Sequence, residues 1–474
     1  MTMGNFASDY LRKLLKKEEV SVPKRKEIET SSRKYQLTSQ YAEYLRKLVK
    51  KASSFDPSCN VFGASKHKYQ LNPVISLEEV KAYEQRHKIK LPSEYVFFIT
   101  QVGNGGAGPY YGIYPLKTKE ECYVTAGTPF ISSKLTDQQW KEKWELFEQK
   151  CQEDEDDLDD LYDQIEKETC QGTYGIGTQG CTYENLAIAQ GEEENRIFYV
   201  NISWNSEYLP YDTEMNFLEW YENFFLEIIQ GNNVNWYGYN IIASQEELIT
   251  QFNQSDDIER KSKLLNSFVR FPNVSNDTRR FFHHLSNDMF ADEKLYLLLK
   301  FDIEQGMKLF YQLVEENPAA AIRQIHAIPE EQRAKLYDVF LNLLYTIENG
   351  DELYSAGSSL YSILLYNLSD FPQLKSEDIL KFLKNKSLNE RDIDAAIYVL
   401  GHASDKEKAM DTFEYFMLNG TEFQIINALQ AVQRIPCPAL KETFLTLWNR
   451  HKKNNNIRNN LKIAFRTNYM EIPK

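Results

Sequence analysis

The chain reads as an α+β domain, with helices packed on a mainly antiparallel sheet, followed by an all-α domain of solenoid-like or bundle type. Three observations predict this. Between residues 75 and 231, two helical stretches, several short strand-like stretches and a further helix follow in that order. Beyond residue 244 the alternation typical of strands disappears and helix-period segments succeed one another almost to the end. Those helices are short, joined by tight Gly, Asn, Pro or Ser turns. Segments such as AAIYVLGHAS from Ala395 and IINALQAVQR from Ile425 suggest a recurrence of about 30 to 40 residues, the length of an α-solenoid repeat.

At 474 residues the chain exceeds what one hydrophobic core usually supports. Three segments are expected: a basic helical segment over 1–60, the α+β domain over 61–240, and the helical domain over 241–474. Hydrophobic residues at 42% and charged residues at 26% suit a folded, water-soluble protein. No apolar run approaches the roughly 18 to 20 residues a membrane helix needs, and the N-terminus lacks a signal-peptide pattern, so a cytoplasmic protein is expected. The six cysteines form no CxxC pair and the seven histidines no HExxH spacing. Neither a disulfide framework, a structural metal nor a cofactor is expected.

Net charge is −14, unevenly spread. Residues 1–54 carry 13 basic against 6 acidic side chains, a balance of +7, which leaves −21 for the remainder. An acidic body repels phosphate backbones and attracts cationic partners, so the chain is expected to bind protein rather than nucleic acid. The basic arm reads as a solvated helical face.

In QLTSQYAEYLRKLVKKA, Leu37, Tyr41, Tyr44, Leu45 and Leu48 recur at spacings of three and four, which predicts a docking or capping helix. A loop-like stretch follows. Ser76 with Glu79 three residues on forms a capping box that starts a helix to about His87. Leu91-Pro92 breaks it, and Ser93 to Val102 makes another helix, with Tyr95, Phe98, Ile99 and Val102 on one face. PYYGIYPL, TYENLAIAQ and RIFYVNISW read as strands, and EMNFLEWYENFFLEIIQG as a helix with Gly231 as its C-cap. Residues 117–172 read as an insertion. Its acidic centre, Glu153 to Asp163, lacks the glycine of a calcium loop. The helical domain is expected to be an irregular HEAT-like stack, with a compact bundle as the alternative.

GNGGAG, residues 103 to 108, satisfies G-x-G-x-x-G, yet a dinucleotide fingerprint needs a strand leading in and a helix leading out. Here a helix delivers its negative dipole end and a strand-like segment follows, which is wrong for phosphate. The glycines are expected to cap the helix and to let strand and helix approach closely. The succession LPSEYVFFITQVGNGG (Leu91, Pro92, Tyr95, Asn104, Gly105, Gly106), then YYGIYPL with Gly112, then LAIAQGEEENRIFYVNISW, then FLEWYENFFLEII with Trp220, resembles the SUKH superfamily over residues 75–231. That fold is shared by yeast cell-wall synthesis regulators and many bacterial toxin-immunity proteins. The resemblance implies a non-enzymatic α+β interaction domain whose bacterial members bind and block a cognate toxin, often a nuclease or deaminase. The acidic insertion and the long helical half depart from the compact family pattern.

No catalytic constellation emerges from the residues. His283 and His284 are adjacent, so on a helix they point about 100° apart and do not converge; one is expected packed and one exposed. Cys181 has no histidine nearby in sequence and reads as a small buried cysteine. The acidic run suits binding instead: Asp154, Glu155, Asp156, Asp157, Asp159 and Asp160 offer a negative surface for a basic toxin domain. Aromatic anchors are sought among Tyr110, Tyr111, Trp140, Trp144, Trp204, Tyr208 and Tyr211. The readings are an immunity protein that neutralises a toxin, a scaffold or regulatory adaptor using the helical half, and an uncharacterised enzyme, in that order.

Overall fold

A computed structural model describes residues 37–116, 169–201 except 192, and 210–473 except 349, 351–352, 355–357, 385–387, 434 and 436, with residues 130, 139, 142, 145–146, 149 and 166–167. Helix α1 (Ser39–Phe55) starts at Thr38, whose hydroxyl accepts the Tyr41 amide. Its stripe of Ala42, Leu45, Leu48, Val49 and Ala52 is buried, as the three–four spacing requires. Helix α2 (Leu77–His87) carries the Ser76–Glu79 capping box, and Pro92 leads into α3 (Ser93–Gln101), which buries Tyr95, Phe97, Phe98 and Ile99.

Four strands form one antiparallel meander, β1 (Thr173–Gly180), β2 (Tyr183–Ile188), β3 (Arg196–Asn201) and β4 (Tyr211–Asn216), in the order β1-β2-β3-β4. Helix α4 (Phe217–Ile229) follows directly, and Gly231 at φ 74° ends it in the left-handed conformation. β2 and β3 fall where apolar residues alternate. β1 and β4 do not announce themselves: β1 carries Gly175, Gly177 and Gly180 and breaks register twice, and β4 buries only Thr213 and Met215. PYYGIYPL differs from the expected strand. It lies along β1, with the Tyr111 amide to the Thr178 carbonyl (3.4 Å) and the Tyr114 amide to the Ile176 carbonyl (2.8 Å), but the left-handed Gly112 and two prolines keep it irregular.

One hydrophobic core joins α1, α3, α4 and the sheet, including Leu45, Tyr95, Phe98, Ile176, Tyr199 and Trp220. The helical segment within residues 1–60 therefore shares its core with the α+β domain. Tyr41 and Tyr44 tie it down by donating to the Glu222 carboxylate on α4 (2.8 and 3.0 Å). The Glu94 carboxylate on α3 accepts the Leu218 amide (2.8 Å) in the first turn of α4. Burial raises this carboxyl to about 7; the Leu218 amide opposes the shift, and Glu219 and Glu194 add to it.

From Ala243 a second core begins; it is built almost entirely from helices, and the expected all-α domain is interrupted by a short antiparallel ladder, Leu353–Tyr354 with Ser358–Ser359. The helix Gln245–Gln254, with Leu248 and Phe252 in this core, opens it; α5 (Ile258–Asn266) follows, and further helices continue between Asn276 and Thr346. Then α6 (Leu360–Leu368), α7 (Ser376–Phe382), α8 (Glu390–Leu400), α9 (Met410–Asn419), α10 (Glu422–Val432), α11 (Lys441–Arg450) and α12 (Asn455–Thr467) alternate between two rows. In one row α6, α8, α10 and α12 contact each other in turn; α7, α9 and α11 back onto them. The first-row helices start at Leu360, Glu390, Glu422 and Asn455, which are 30, 32 and 33 residues apart. Hydrogen bonds repeat the period: Ser359 donates to Asp392 and Asn427 to the Asp394 carbonyl, each across 33 residues.

The two cores meet at a buried ion pair. The Arg270 guanidinium donates to the Glu227 carboxylate on α4 and to the Ala243 carbonyl, while its own carbonyl accepts the Asn233 amide (2.7 Å). Beside it the Glu214 carboxylate receives Arg260 (2.6 Å) and Lys263 (2.7 Å) from α5.

Two outcomes follow from these contacts. Replacing Arg270 by Ala strands a buried carboxylate, so equilibrium unfolding should show a loss of about 3 to 5 kcal/mol, and Glu227→Leu added to Arg270→Met should recover most of it. For Glu94, whose folded carboxyl value is raised to about 7 from an ordinary 4.5, its stabilising contribution is fully present below pH 4.5 and is lost as pH rises through 7. Denaturant titrations of Glu94→Gln, which keeps the acceptor for Leu218, should lack this dependence, with a difference from wild type on the order of 3 kcal/mol across the window.

Candidate partner-binding cleft

Helix α3 runs into the glycines, and an extended segment leaves them, the reverse of a phosphate-binding turn. Three strand-like passes of backbone meet there: Gly106 bridges to Leu71 on one side and to Ile113 on the other. Gly105, Gly106 and Gly112 stand at φ 82°, 103° and 93°. A Cβ on Gly106 would lie 2.4 Å from the Gln70 carbonyl oxygen, on Gly105 2.6 Å from the Pro115 nitrogen, and on Gly112 2.3 Å from the Gly106 carbonyl oxygen. Only glycine satisfies both demands. Asn104 locks the turn, its side-chain oxygen accepting the Leu116 amide (2.8 Å) and its carbonyl accepting from Asn72 (3.0 Å).

The approach leaves an open cleft of about 730 Å³ at the edge of the sheet, walled by Tyr111, Ile113, Tyr114 and Pro115 on one side and Lys66, His67, Gln70 and Asn72 on the other. Among the described residues no carboxylate lines it. Phe62, 46% exposed, meets Tyr111, 38% exposed, edge to face at 5.4 Å. The loop that presents Phe62 and Lys66 is organised by Asp56, whose carboxylate accepts the amides of Asn60 (2.7 Å) and Val61 (3.0 Å) and the hydroxyl of Tyr69 (2.8 Å). Burial and that carboxylate push the Tyr69 phenol up.

His67 is buried at the base of the cleft. The Tyr69 amide donates to its Nδ1 (3.0 Å), which places the neutral ring's proton on Nε2. Burial pulls the imidazole down to about 4, against the Gly108 carbonyl and Asp56, which favour the charged form. It is thus neutral at physiological pH. Among the described residues lining the cleft no side chain is bonded to the His67 ring.

The structure separates the sequence-derived candidates. Tyr111 faces the cleft. Tyr110 does not: it is 4% exposed, its hydroxyl donates to the Tyr237 carbonyl (2.6 Å), and its phenol is pushed up by burial, so it is a core residue. Tyr211 is half-buried, donating to the Tyr239 carbonyl (2.8 Å). Asp154, Glu155, Asp156, Asp157, Asp159, Asp160, Trp140, Trp144, Trp204 and Tyr208 lie outside the described residues. Among the residues chosen as fold signature, Leu91, Tyr95 and Trp220 are buried and Pro92 precedes α3. Tyr95 donates to the Tyr114 carbonyl (3.0 Å) and Trp220 to the Tyr199 hydroxyl (2.6 Å).

Phe62, Lys66 and Asp56 escape sequence reasoning because they lie in a loop and a single helical turn (Ala64–His67) too short for periodicity; the one local signal is Asp56 following the last turn of α1. Two minor expectations are corrected. Cys181 is exposed at the β1–β2 turn, and His283 and His284 are both exposed, bonding to Asp302 (3.1 Å) and to the Arg280 carbonyl (2.6 Å) respectively.

Among the described residues no group of His, Cys, Asp or Glu could hold a metal ion, and no helix is long and apolar enough to cross a membrane. Comparison with known proteins finds no match to the chain among family models, curated proteins or solved structures.

Gly106→Ala should destabilise by roughly 2 kcal/mol or more, since it adds a steric clash to the left-handed strain. Gly191→Ala, also at positive φ (107°) but with open space around its Cβ position, should lose only about 1 kcal/mol. Equal losses in thermal unfolding would remove close approach as the reason for Gly106.

Proposed function

We propose that the protein is a non-enzymatic binding protein of the SUKH type, acting as an immunity protein that neutralises a toxin domain by occupying it. The observation that carries this reading is the exposed Phe62–Tyr111 pair on the rim of the cleft, at the glycine joint that the resemblance singles out. Aromatic side chains held edge to face on rigid backbone are suited to anchor a protein interface with little ordering cost. The acidic run from Asp154 to Asp160 would supply the long-range attraction toward a basic toxin, and the cleft the short-range energy. No cofactor enters this reading, and its compartment is the cytoplasm. A second reading, a scaffold or regulatory adaptor, draws on the two rows of helices, which offer an extended surface of the HEAT-like kind.

Co-expression of the full chain with the product of a neighbouring toxin gene should rescue growth. Phe62→Ala and Tyr111→Ala should each weaken binding of the toxin domain roughly 30-fold in calorimetry while leaving the melting temperature near wild type. Neutralising Asp154, Glu155, Asp156, Asp157, Asp159 and Asp160 should slow association and flatten its salt dependence without changing dissociation. Rescue that survives loss of both aromatics would move the interface away from the cleft, and housekeeping proteins captured through residues 241–474 would favour the adaptor.

A further inference from the structure

Helices α11 and α12 reverse the charge of the rest of the protein. Residues 443–470 hold Arg450, Lys452, Lys453, Arg458, Lys462 and Arg466 and no aspartate or glutamate, in a chain whose net charge is −14. On α12 the cations Arg458, Lys462 and Arg466 recur every four residues and so form one stripe, advancing about 6 Å per step. The helix's apolar face, Ile457, Leu461, Ala464 and Phe465, is buried in the helical core. Asn455, Asn456 and Asn459 are exposed beside the stripe. Just past the helix Tyr469 is 96% exposed, its amide donating to the Arg466 carbonyl (3.1 Å).

We propose that the stripe on α12, together with Tyr469, binds single-stranded nucleic acid, gripping its phosphates without regard to base sequence. Elsewhere the protein neutralises its half-buried and buried cations from within: Arg196 pairs with Asp212, Arg260 and Lys263 with Glu214, Arg270 with Glu227 and Arg323 with Asp292. Among the described residues no carboxylate pairs with Arg458, Lys462 or Arg466. Their contacts are with neutral groups. The Arg458 guanidinium lies over the Trp448 ring at 3.6 Å, which holds it in place, and Lys462 donates to the Asn459 side-chain oxygen (3.2 Å). The acidic body repels phosphate on average, but at this stripe the local sign is the opposite.

Three polyanions could answer a row of cations, and the surroundings favour one. A membrane-surface helix turns its apolar face to lipid, whereas that of α12 is spent on the core. A protein interface needs a cluster of apolar anchors, and on the exposed face of α12 only Ile463 interrupts the arginine, lysine and asparagine. Those three residue types are the ones that contact phosphate and sugar, and an exposed aromatic ring beside them is a platform on which an unpaired base can stack. The inference is independent of the cleft and of the toxin reading.

The test follows the anisotropy of a fluorescein-labelled oligothymidylate of about 20 nucleotides with the full chain, between about 50 and 200 mM salt. Lys462→Gln combined with Arg466→Gln should weaken binding about ten-fold and lower the slope of log affinity against log salt by about 1.4, since each phosphate contact on a single strand contributes about 0.7. Tyr469→Ala should weaken binding about ten-fold with the slope unchanged, and Tyr469→Phe should stay within about two-fold of wild type. Lys81→Gln combined with Lys308→Gln, two exposed lysines on other helices, should also stay within about two-fold. No binding by wild type at the lowest salt, or equal losses in the two lysine and arginine pairs, would overturn the proposal. So would competition by polyglutamate or by phosphatidylserine vesicles as strong as by the unlabelled strand, the first pointing to an acidic protein and the second to a membrane. Full affinity in Tyr469→Ala, or equal competition by a duplex, would overturn single-strand binding. Should the Lys462→Gln, Arg466→Gln pair lower the melting temperature, Arg466→Gln alone, at an exposed position, decides: a slope reduced by about 0.7 supports the site and an unchanged slope rejects it.

Discussion

Close approach of backbone to backbone at a handful of glycines sets the geometry of the α+β domain. Gly63 lies against the Tyr110 carbonyl, Gly106 against that of Gln70, Gly112 against that of Gly106, and Gly177 against that of Gly112. At each of these a Cβ would come within 2.0 to 2.5 Å of a carbonyl oxygen. The chain can therefore lay the 70–72, 105–107 and 111–114 passes beside β1 and extend the sheet beyond its four regular strands. The cleft opens where Gly106 and Gly180, which carry no side chain, lie between the lining residues of this extension, and Tyr111 at the cleft is held by the same backbone.

A second constraint fastens the two halves. Arg270 and Glu227 are buried between α4 and the first helices of the helical domain, where neither charge has water to turn to. An apolar contact would allow sliding; a hydrogen-bonded ion pair has one geometry, and the neighbouring Arg260–Glu214–Lys263 group adds a further fixed point. The cleft and the basic stripe of α12 are thus carried by halves joined through specific polar contacts.

Much of the helical content was legible in the sequence, for reasons that are local. The Ser76–Glu79 box, Pro92 before α3, Gly231 after α4 and the apolar stripe of α1 each act over one or two turns. β2 and β3 showed through their alternating apolar residues. β1 and β4 did not, because glycine-rich and polar segments become strands only when a neighbour supplies the ladder. Tyr110 misled for a related reason: an aromatic in a loop is equally suited to core and surface, and the Tyr237 carbonyl that captures its hydroxyl lies 127 residues away.

Local signals in the sequence by itself divide the chain into an α+β part and a helical part and place most helix ends; they also show that GNGGAG follows a helix and cannot cradle phosphate. These depend on capping, periodicity and the helix dipole, all short-range. Tertiary structure alone decided that the left-handed glycines, Gly105 and Gly106, serve close backbone approach rather than the helix cap expected of them, that Phe62 and Tyr111 meet, that Asp56 organises the loop between them and α1, and that Arg270 finds Glu227. Each joins residues that sequence keeps apart, and the energy of such a contact depends on burial and distance that only the folded chain supplies.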